Sequence, residues 1–151
     1  MAETSLNEER PGLLIWQTSN LWQSKLRFKL KKYNISLNEY LIIETLYKIN
    51  SNEHKITQAQ LSKQSFIDVA VVSTTLNLLE KKKLAIRNNI DNRTKYIKLT
   101  SNGKVLVKSI IKVITEEENE LFKKLGFETF NFTNSLKLLL GKKIRIKAGN
   151  N

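Results

Sequence analysis

The stretch Thr57–Gly103, TQAQLSKQSFIDVAVVSTTLNLLEKKKLAIRNNIDNRTKYIKLTSNG, carries its local signals in an order that decides the fold. Thr57-Gln58-Ala59-Gln60 is a capping box, in which the threonine accepts from the third helical N–H and the glutamine reaches back, with Ile56 and Leu61 as the staple pair. It predicts a short helix that ends near Ser65. Asp68 then caps a second helix running towards Lys82, with Val69, Val72, Leu76 and Leu79 on one face. Ala85 to Asn89 and Lys95 to Thr100 read as strands joined by the polar turn Ile90-Asp91-Asn92-Arg93-Thr94. Within the second strand, Tyr96, Lys98 and Thr100 alternate with Ile97 and Leu99, the period of a half-buried strand. Thr100 or Ser101 opens a further helix.

Working outward, the same start signal occurs upstream at Ser36-Leu37-Asn38-Glu39, with Ile35 and Tyr40 as its staple. That helix runs to about Ile49 and is broken by Asn50-Ser51-Asn52. Before it, Pro11 suits a first helical turn. Leu14, Trp22, Leu26 and Leu30, interleaved with Lys25, Arg27, Lys29 and Lys31, then predict a long amphipathic helix to Tyr33-Asn34. Downstream, the helix opened at Thr100 or Ser101 is apolar from Val105 to Ile114, crosses Glu116-Glu117-Glu118 and ends near Gly126. A last helix is expected around Thr129 to Leu140, followed by a basic, polar tail from Gly141 to Asn151. No internal repeat or linker divides the chain, so residues 1–151 are expected to form a single domain.

Composition narrows the function. The chain has 151 residues, long enough for one real core, and a formal net charge of +12, which points to a polyanionic partner. Part of that basicity has a neutral source: lysine outnumbers arginine 21 to 5, as an AT-rich genome would produce. The chain contains no cysteine, which excludes disulfides, thiolate metal sites and a thiol redox switch. His54, alone in a polar loop, cannot build a zinc site and is expected to be solvated, so no metal or cofactor is expected. The polar start MAETSLNEER is no secretory signal, and no apolar run approaches the roughly 20 residues of a membrane span. A cytoplasmic protein with no membrane partner is expected. There is neither a glycine-rich phosphate loop nor a set of residues for a nucleophilic triad, and Glu116 to Glu120 reads as a solvated helix face, so no catalytic residues are assigned.

The signals together predict a mainly α fold with a small β-hairpin wing (α+β). In particular they predict a winged helix-turn-helix lobe over residues 36–100, with flanking N- and C-terminal helices. The chain resembles the MarR family of bacterial transcriptional regulators. Leu61-Ser62-Lys63, then Val72, Leu76, Leu79-Glu80-Lys81-Lys82 and Leu84, match that family's helix-turn-helix without a gap. Arg87, Asp91-x-Arg93 and Leu99-Thr100-x-x-Gly103 match its wing and the start of the next helix. The resemblance covers roughly residues 12 to 125 and is most specific from 57 to 103. Three positions depart from the pattern. Lys83 stands where the family has glycine, which predicts a different helix end, since a left-handed cap costs a non-glycine residue on the order of 1 kcal/mol. Ala70 and Val71 replace the usual serine or threonine, and the turn between Arg87 and Arg93 is slightly short.

If Val69, Val72, Leu76 and Leu79 face the core, then Ala70, Val71, Ser73, Thr74, Asn77 and Lys81 face out. Ala70 and Val71 suit thymine methyl groups, Ser73 and Thr74 a base or phosphate, and Asn77 an adenine. The alternative for Val71 is packing against a neighbouring loop, and Lys81-Lys82-Lys83 reads either as a phosphate clamp or as a solvated helix end complementing the dipole. The resemblance implies that Arg93 enters the minor groove and that Asp91 orients the wing, where a narrow AT-rich groove would favour the arginine. The plain alternative is a surface Asp-Arg turn pair. Arg87 and Lys95, on the two hairpin strands, complete the predicted double-stranded DNA contacts. From Lys55 to Lys98 nine basic and three acidic residues leave a net of +6, half of the whole excess.

The resemblance also implies that residues 11–33 and 101–141 are dimerisation helices and that the homodimer reads a pseudopalindrome. It further implies a cleft for a small aromatic or anionic effector, for which Trp16, Trp22 and Tyr40 are the candidates, with core packing as the alternative. Three functions follow as expectations: a sequence-specific, AT-rich-operator regulator; a winged-helix protein-interaction module; or a non-specific AT-rich DNA-coating protein.

Overall fold

The computed structural model describes residues 8–89 and 95–146. The chain divides into two compact units, Met1–Thr115 and Glu116–Asn151. The first contains α1 (Pro11–Leu30), α2 (Leu37–Ile49), β1 (Ile56–Thr57), α3 (Gln58–Ser65), α4 (Val69–Lys81), β2 (Ala85–Asn89) and β3 (Lys95–Leu99). It also holds the first turns of α5 (Ser101–Phe122). The fold is the expected winged helix-turn-helix, mainly helical with a small antiparallel sheet.

Both predicted capping boxes form. The Ser36 hydroxyl accepts from the Glu39 N–H at 3.1 Å while the Glu39 carboxylate accepts from the Ser36 N–H at 3.1 Å. Thr57 and Gln60 repeat the exchange at 3.2 and 2.9 Å. Each satisfies two N–H groups that a helix start leaves without partners, and a cap of this kind stabilises by about 1 kcal/mol. The sheet has one strand more than the predicted hairpin. Ile56 and Thr57 pair with Ile97 and Tyr96, giving the order β1-β3-β2. Two residues are too few to show a period, and Thr57 serves both as strand end and as helix cap.

The core gathers Leu26 and Leu30 of α1, Ile42, Ile43 and Leu46 of α2, Leu61 of α3, and Val72, Leu76 and Leu79 of α4. Ile97 and Leu99 of β3 and Val107 and Ile110 of α5 close it. One predicted core residue lies elsewhere: Val69 is 51% exposed, and Thr75 takes the buried place on α4. The face Val72, Thr75, Leu76, Leu79 keeps the helical period, and the Thr75 hydroxyl is made tolerable there by donating to the Val71 carbonyl at 2.7 Å.

The end of α4 also differs from expectation. Lys83 adopts the left-handed conformation (φ +60°) that the family leaves to glycine. Its N–H donates to the Glu80 carbonyl at 2.9 Å, and the Leu84 N–H donates to the Leu79 carbonyl at 2.9 Å. This is a Schellman motif, closed by burial of both Leu84 and Leu79. The helix therefore ends as it would with glycine, because hydrogen bonds and apolar burial outweigh a local steric cost of about 1 kcal/mol. Thr100 locks the same corner, its hydroxyl donating to the Lys83 carbonyl at 2.7 Å and accepting from the Gly103 N–H at 3.0 Å. A Cβ on Gly103 would stand 2.1 Å from the Leu84 carbonyl oxygen, so glycine is required there by close approach.

In the second unit, α5 ends at Phe122, earlier than the predicted Gly126, and a 3-10 segment (Lys123–Glu128) leads into α6 (Thr129–Leu139). Gly126 supplies the bend with φ +53° and ψ −124°, a conformation open to glycine alone. The Phe122 and Phe132 rings pack with centroids 6.3 Å apart.

Two stability changes of opposite sign follow. Gly103→Ala is expected to lower unfolding free energy by about 2 kcal/mol or more, the range for overpacking against rigid backbone. Lys83→Gly is expected to raise it by about 0.5 kcal/mol, the relieved strain being partly offset by the freer unfolded chain. Urea titrations followed by circular dichroism measure both; a stabilised Gly103→Ala would refute the close-packed corner.

Candidate nucleic-acid interface

The exposed face of α4 is set by the burial of its opposite face. Asp68 starts the helix, its carboxylate accepting from the Ala70 N–H at 2.9 Å. Ala70, Val71, Thr74, Asn77, Leu78 and Lys81 are exposed, and Ser73 is half-buried. Of the predicted set, the structure thus brings Ala70, Val71, Thr74, Asn77 and Lys81 onto one surface, with Ser73 at its margin. Thr74 donates its hydroxyl hydrogen to the Ala70 carbonyl at 3.1 Å, leaving its methyl group and the oxygen's remaining acceptor capacity to a partner.

Polar anchoring divides the basic residues into two groups. Lys82 turns inward: its Nζ lies 2.8 Å from Glu39 Oε2 and donates to Glu39 Oε1 at 3.1 Å and to the Asn34 carbonyl at 2.6 Å. Asn34 holds the left-handed turn before α2 (φ 53°), so one lysine ties the end of α4 to the start of α2. Glu39 is buried, and the pair gives its carboxylate the compensating charge that burial demands. Arg87 is likewise tied, its Nε donating to the Glu80 carboxylate and its Nη2 to Asn77 Oδ1. Only 16% of its side chain is exposed. Arg87 is therefore a bracket between β2 and α4, not the outward cation expected from sequence, and the oxygen of Asn77 is engaged. Lys81, Lys83 and Lys95 are exposed. Asp91 and Arg93, on which the wing-tip expectation rests, lie outside the described residues.

Phe66 was not among the sequence candidates. It stands in the turn between α3 and α4 with φ +60° and 64% exposure, a costly conformation for a bulky residue. Its position between a short helix and the Asp68 cap is visible in the sequence; its left-handed backbone is not. The three effector candidates are not alike: Tyr40 is 1% exposed and belongs to the core, Trp22 is partly buried against it, and Trp16 is 63% exposed on α1. Burial accounts for Tyr40 as core packing and leaves it no open cleft to line.

The fold occurs among solved regulators. A MarR-family transcriptional regulator from Rhodococcus, 13% identical, matches with a TM-score of 0.80 over 94% of this chain and all of its own. No family model matches the sequence. An uncharacterized HTH-type transcriptional regulator of Bacillus subtilis, YdcH, is 26% identical over 132 residues, covering 86% of this chain and 89% of the relative. The Staphylococcus aureus MepR–DNA complex is 27% identical, with a TM-score of 0.78 over 87% of this chain and 96% of MepR. The chain thus shares its fold with a MarR-family regulator and is similar in sequence to YdcH and MepR. YdcH and the Rhodococcus protein are transcriptional regulators by name, and MepR is seen bound to DNA. Among the described residues, no helix is long and apolar enough to cross a membrane.

The two classes of lysine should separate in measurement. Lys82→Ala leaves Glu39 buried without its partner and is expected to cost about 2 kcal/mol, below the range for a fully buried pair because Lys82 is partly solvated. Lys81→Ala, on the open face, is expected to change stability by less than about 0.5 kcal/mol. Thermal unfolding of the two variants side by side decides; equal losses would refute the inward assignment of Lys82.

Proposed function

We propose that this protein is a sequence-specific, DNA-binding transcriptional regulator that acts as a homodimer on a pseudopalindromic, AT-rich operator. The observation that carries the reading is the exposed face of α4. A capped and rigidly packed helix presents small apolar groups (Ala70, Val71), a threonine and an asparagine, bordered by Lys81 and Lys83. Such a face suits base edges and thymine methyl groups in a major groove. A solvated surface would favour charged residues at those positions. Lys95, at the turn end of the hairpin strands, suits the adjacent backbone, and the MepR–DNA complex is a precedent for this fold on DNA.

Exposed apolar side chains support the homodimer. Leu14, Ile15, Trp16, Leu21 and Phe28 on α1, and Leu138, Leu139 and Leu140 at the end of α6, are all exposed in the single chain. Exposed apolar side chains grouped on a helix in this way mark an interaction site, and a twofold pair of recognition helices would read half-sites about one helical turn apart.

The test is fluorescence anisotropy with DNA from upstream of the chain's own coding sequence, from about 50 to 200 mM salt. Saturable binding that outcompetes scrambled DNA, with two chains per site, is expected. Affinity should fall steeply, about a thousandfold across that range for about six neutralised phosphates. Equal loss of both DNAs, or a monomer by sedimentation at binding concentrations, would refute the reading. Continuous coating of long AT-rich DNA would assign an architectural role instead.

A further inference from the structure

Asn77, Glu80 and Arg87 form one hydrogen-bonded unit at the edge of the α4 face, and its polarity is chemically forced. A guanidinium has only donors. The atom of Asn77 that meets Arg87 Nη2 is therefore its oxygen, and Arg87 is itself held by the Glu80 carboxylate. Among the described residues, Asn77 Nδ2 has no acceptor, and Asn77 is exposed. An asparagine reads adenine by two bonds: its oxygen accepts from N6–H while its nitrogen donates to N7. Here the oxygen already accepts from a planar group pinned from its other side, so one of its two lone pairs is taken and Nδ2 is the edge left fully open.

We infer that Asn77 reads its base by donation alone, from Nδ2 to a purine N7, and that Arg87 is the positioning residue imposing this restriction. Adenine and guanine both present N7 at the same place in the major groove, whereas pyrimidines present no acceptor there. One base pair of each half-site is thus read as purine against pyrimidine, without discrimination between adenine and guanine. Arg87 also contributes little to phosphate binding, because Glu80 balances its charge.

This rests on the DNA-reading function proposed above, and the test separates the two. Bound sites are selected from a randomised duplex pool with the full-length protein, and with Asn77→Ala to identify the position Asn77 reads. At that position, the wild type is expected to hold adenine and guanine within about threefold and pyrimidines about tenfold more weakly, the size of one hydrogen bond. Replacing the purine by its 7-deaza analogue should reproduce the tenfold loss, while removing the adenine N6 amino group should change nothing. Asn77→Asp, which keeps an acceptor for Arg87 but loses the donor, should abolish the purine preference. The charge-neutral pair Glu80→Gln with Arg87→Met frees the amide and should convert the position to adenine preference by about tenfold, now sensitive to N6.

A wild type that already requires N6 would overturn the inference. So would a paired variant with the wild-type pattern, or an Asn77→Ala that alters no preference. A pool that enriches no site overturns the DNA-reading function itself, and this inference with it. Circular dichroism of each variant confirms that the helix is retained.

Discussion

The corner where α4 ends is the constraint on which the rest of the lobe depends. Within a few residues, Lys83 turns left-handed, Leu84 is buried over Leu79, Thr100 bridges the Lys83 carbonyl to the Gly103 N–H, and Gly103 leaves room for the Leu84 carbonyl. This one knot sets the end of α4, the start of β2 and the first turn of α5. A helix that ends loosely cannot hold a hairpin at a fixed angle to its exposed face. The corner therefore fixes the hairpin relative to the exposed face of α4, and it tolerates a strained lysine because the contacts around it exceed the steric penalty.

Charge is sorted on the same scaffold. The net of +6 between Lys55 and Lys98 overstates the cations available to a polyanion. Lys82 is held by Glu39 and Asn34, and Arg87 by Glu80 and Asn77. Near Tyr96, Lys55 lies with its Nζ 5.7 Å from the ring centroid. Among the described residues Lys63, Lys81, Lys83 and Lys95 also stay exposed, and Lys81 and Lys83 lie at the C-terminal end of the α4 face. In the proposed DNA-reading function, cations at the margin would steer and position while the uncharged centre would discriminate among bases.

The division of labour extends to the apolar residues. The side chains of α2, α3 and α4 that keep helical period are absorbed by the core of the first unit, whereas α1 and α6 keep leucines and aromatic residues exposed. The lobe buries Leu26 and Leu30 of α1 and partly covers Trp22, while Leu14, Ile15, Trp16, Leu21 and Phe28 carry apolar surface that stays exposed. That excess is what the homodimer reading uses.

Features determined by short-range chemistry were legible in the sequence alone. The capping boxes at Ser36 and Thr57, the Asp68 cap, the alternation of Tyr96 to Leu99 and the positions of the main helices depend on neighbours a few residues apart, so spacing revealed them. The fold class and the outward set Ala70, Val71, Thr74, Asn77 and Lys81 followed from helical period. Tertiary structure alone decided the rest. Val69 lies beyond the edge of the core and Thr75 within it, because the packed elements around a helix decide which of two adjacent rows is covered. Lys83 is left-handed because contacts from Leu84 and Thr100 override its intrinsic preference. Lys82 and Arg87 look like any basic residues in the sequence. Their partners Glu39, 43 positions away, and Asn77, 10 positions away, are brought within hydrogen-bond reach only by folding.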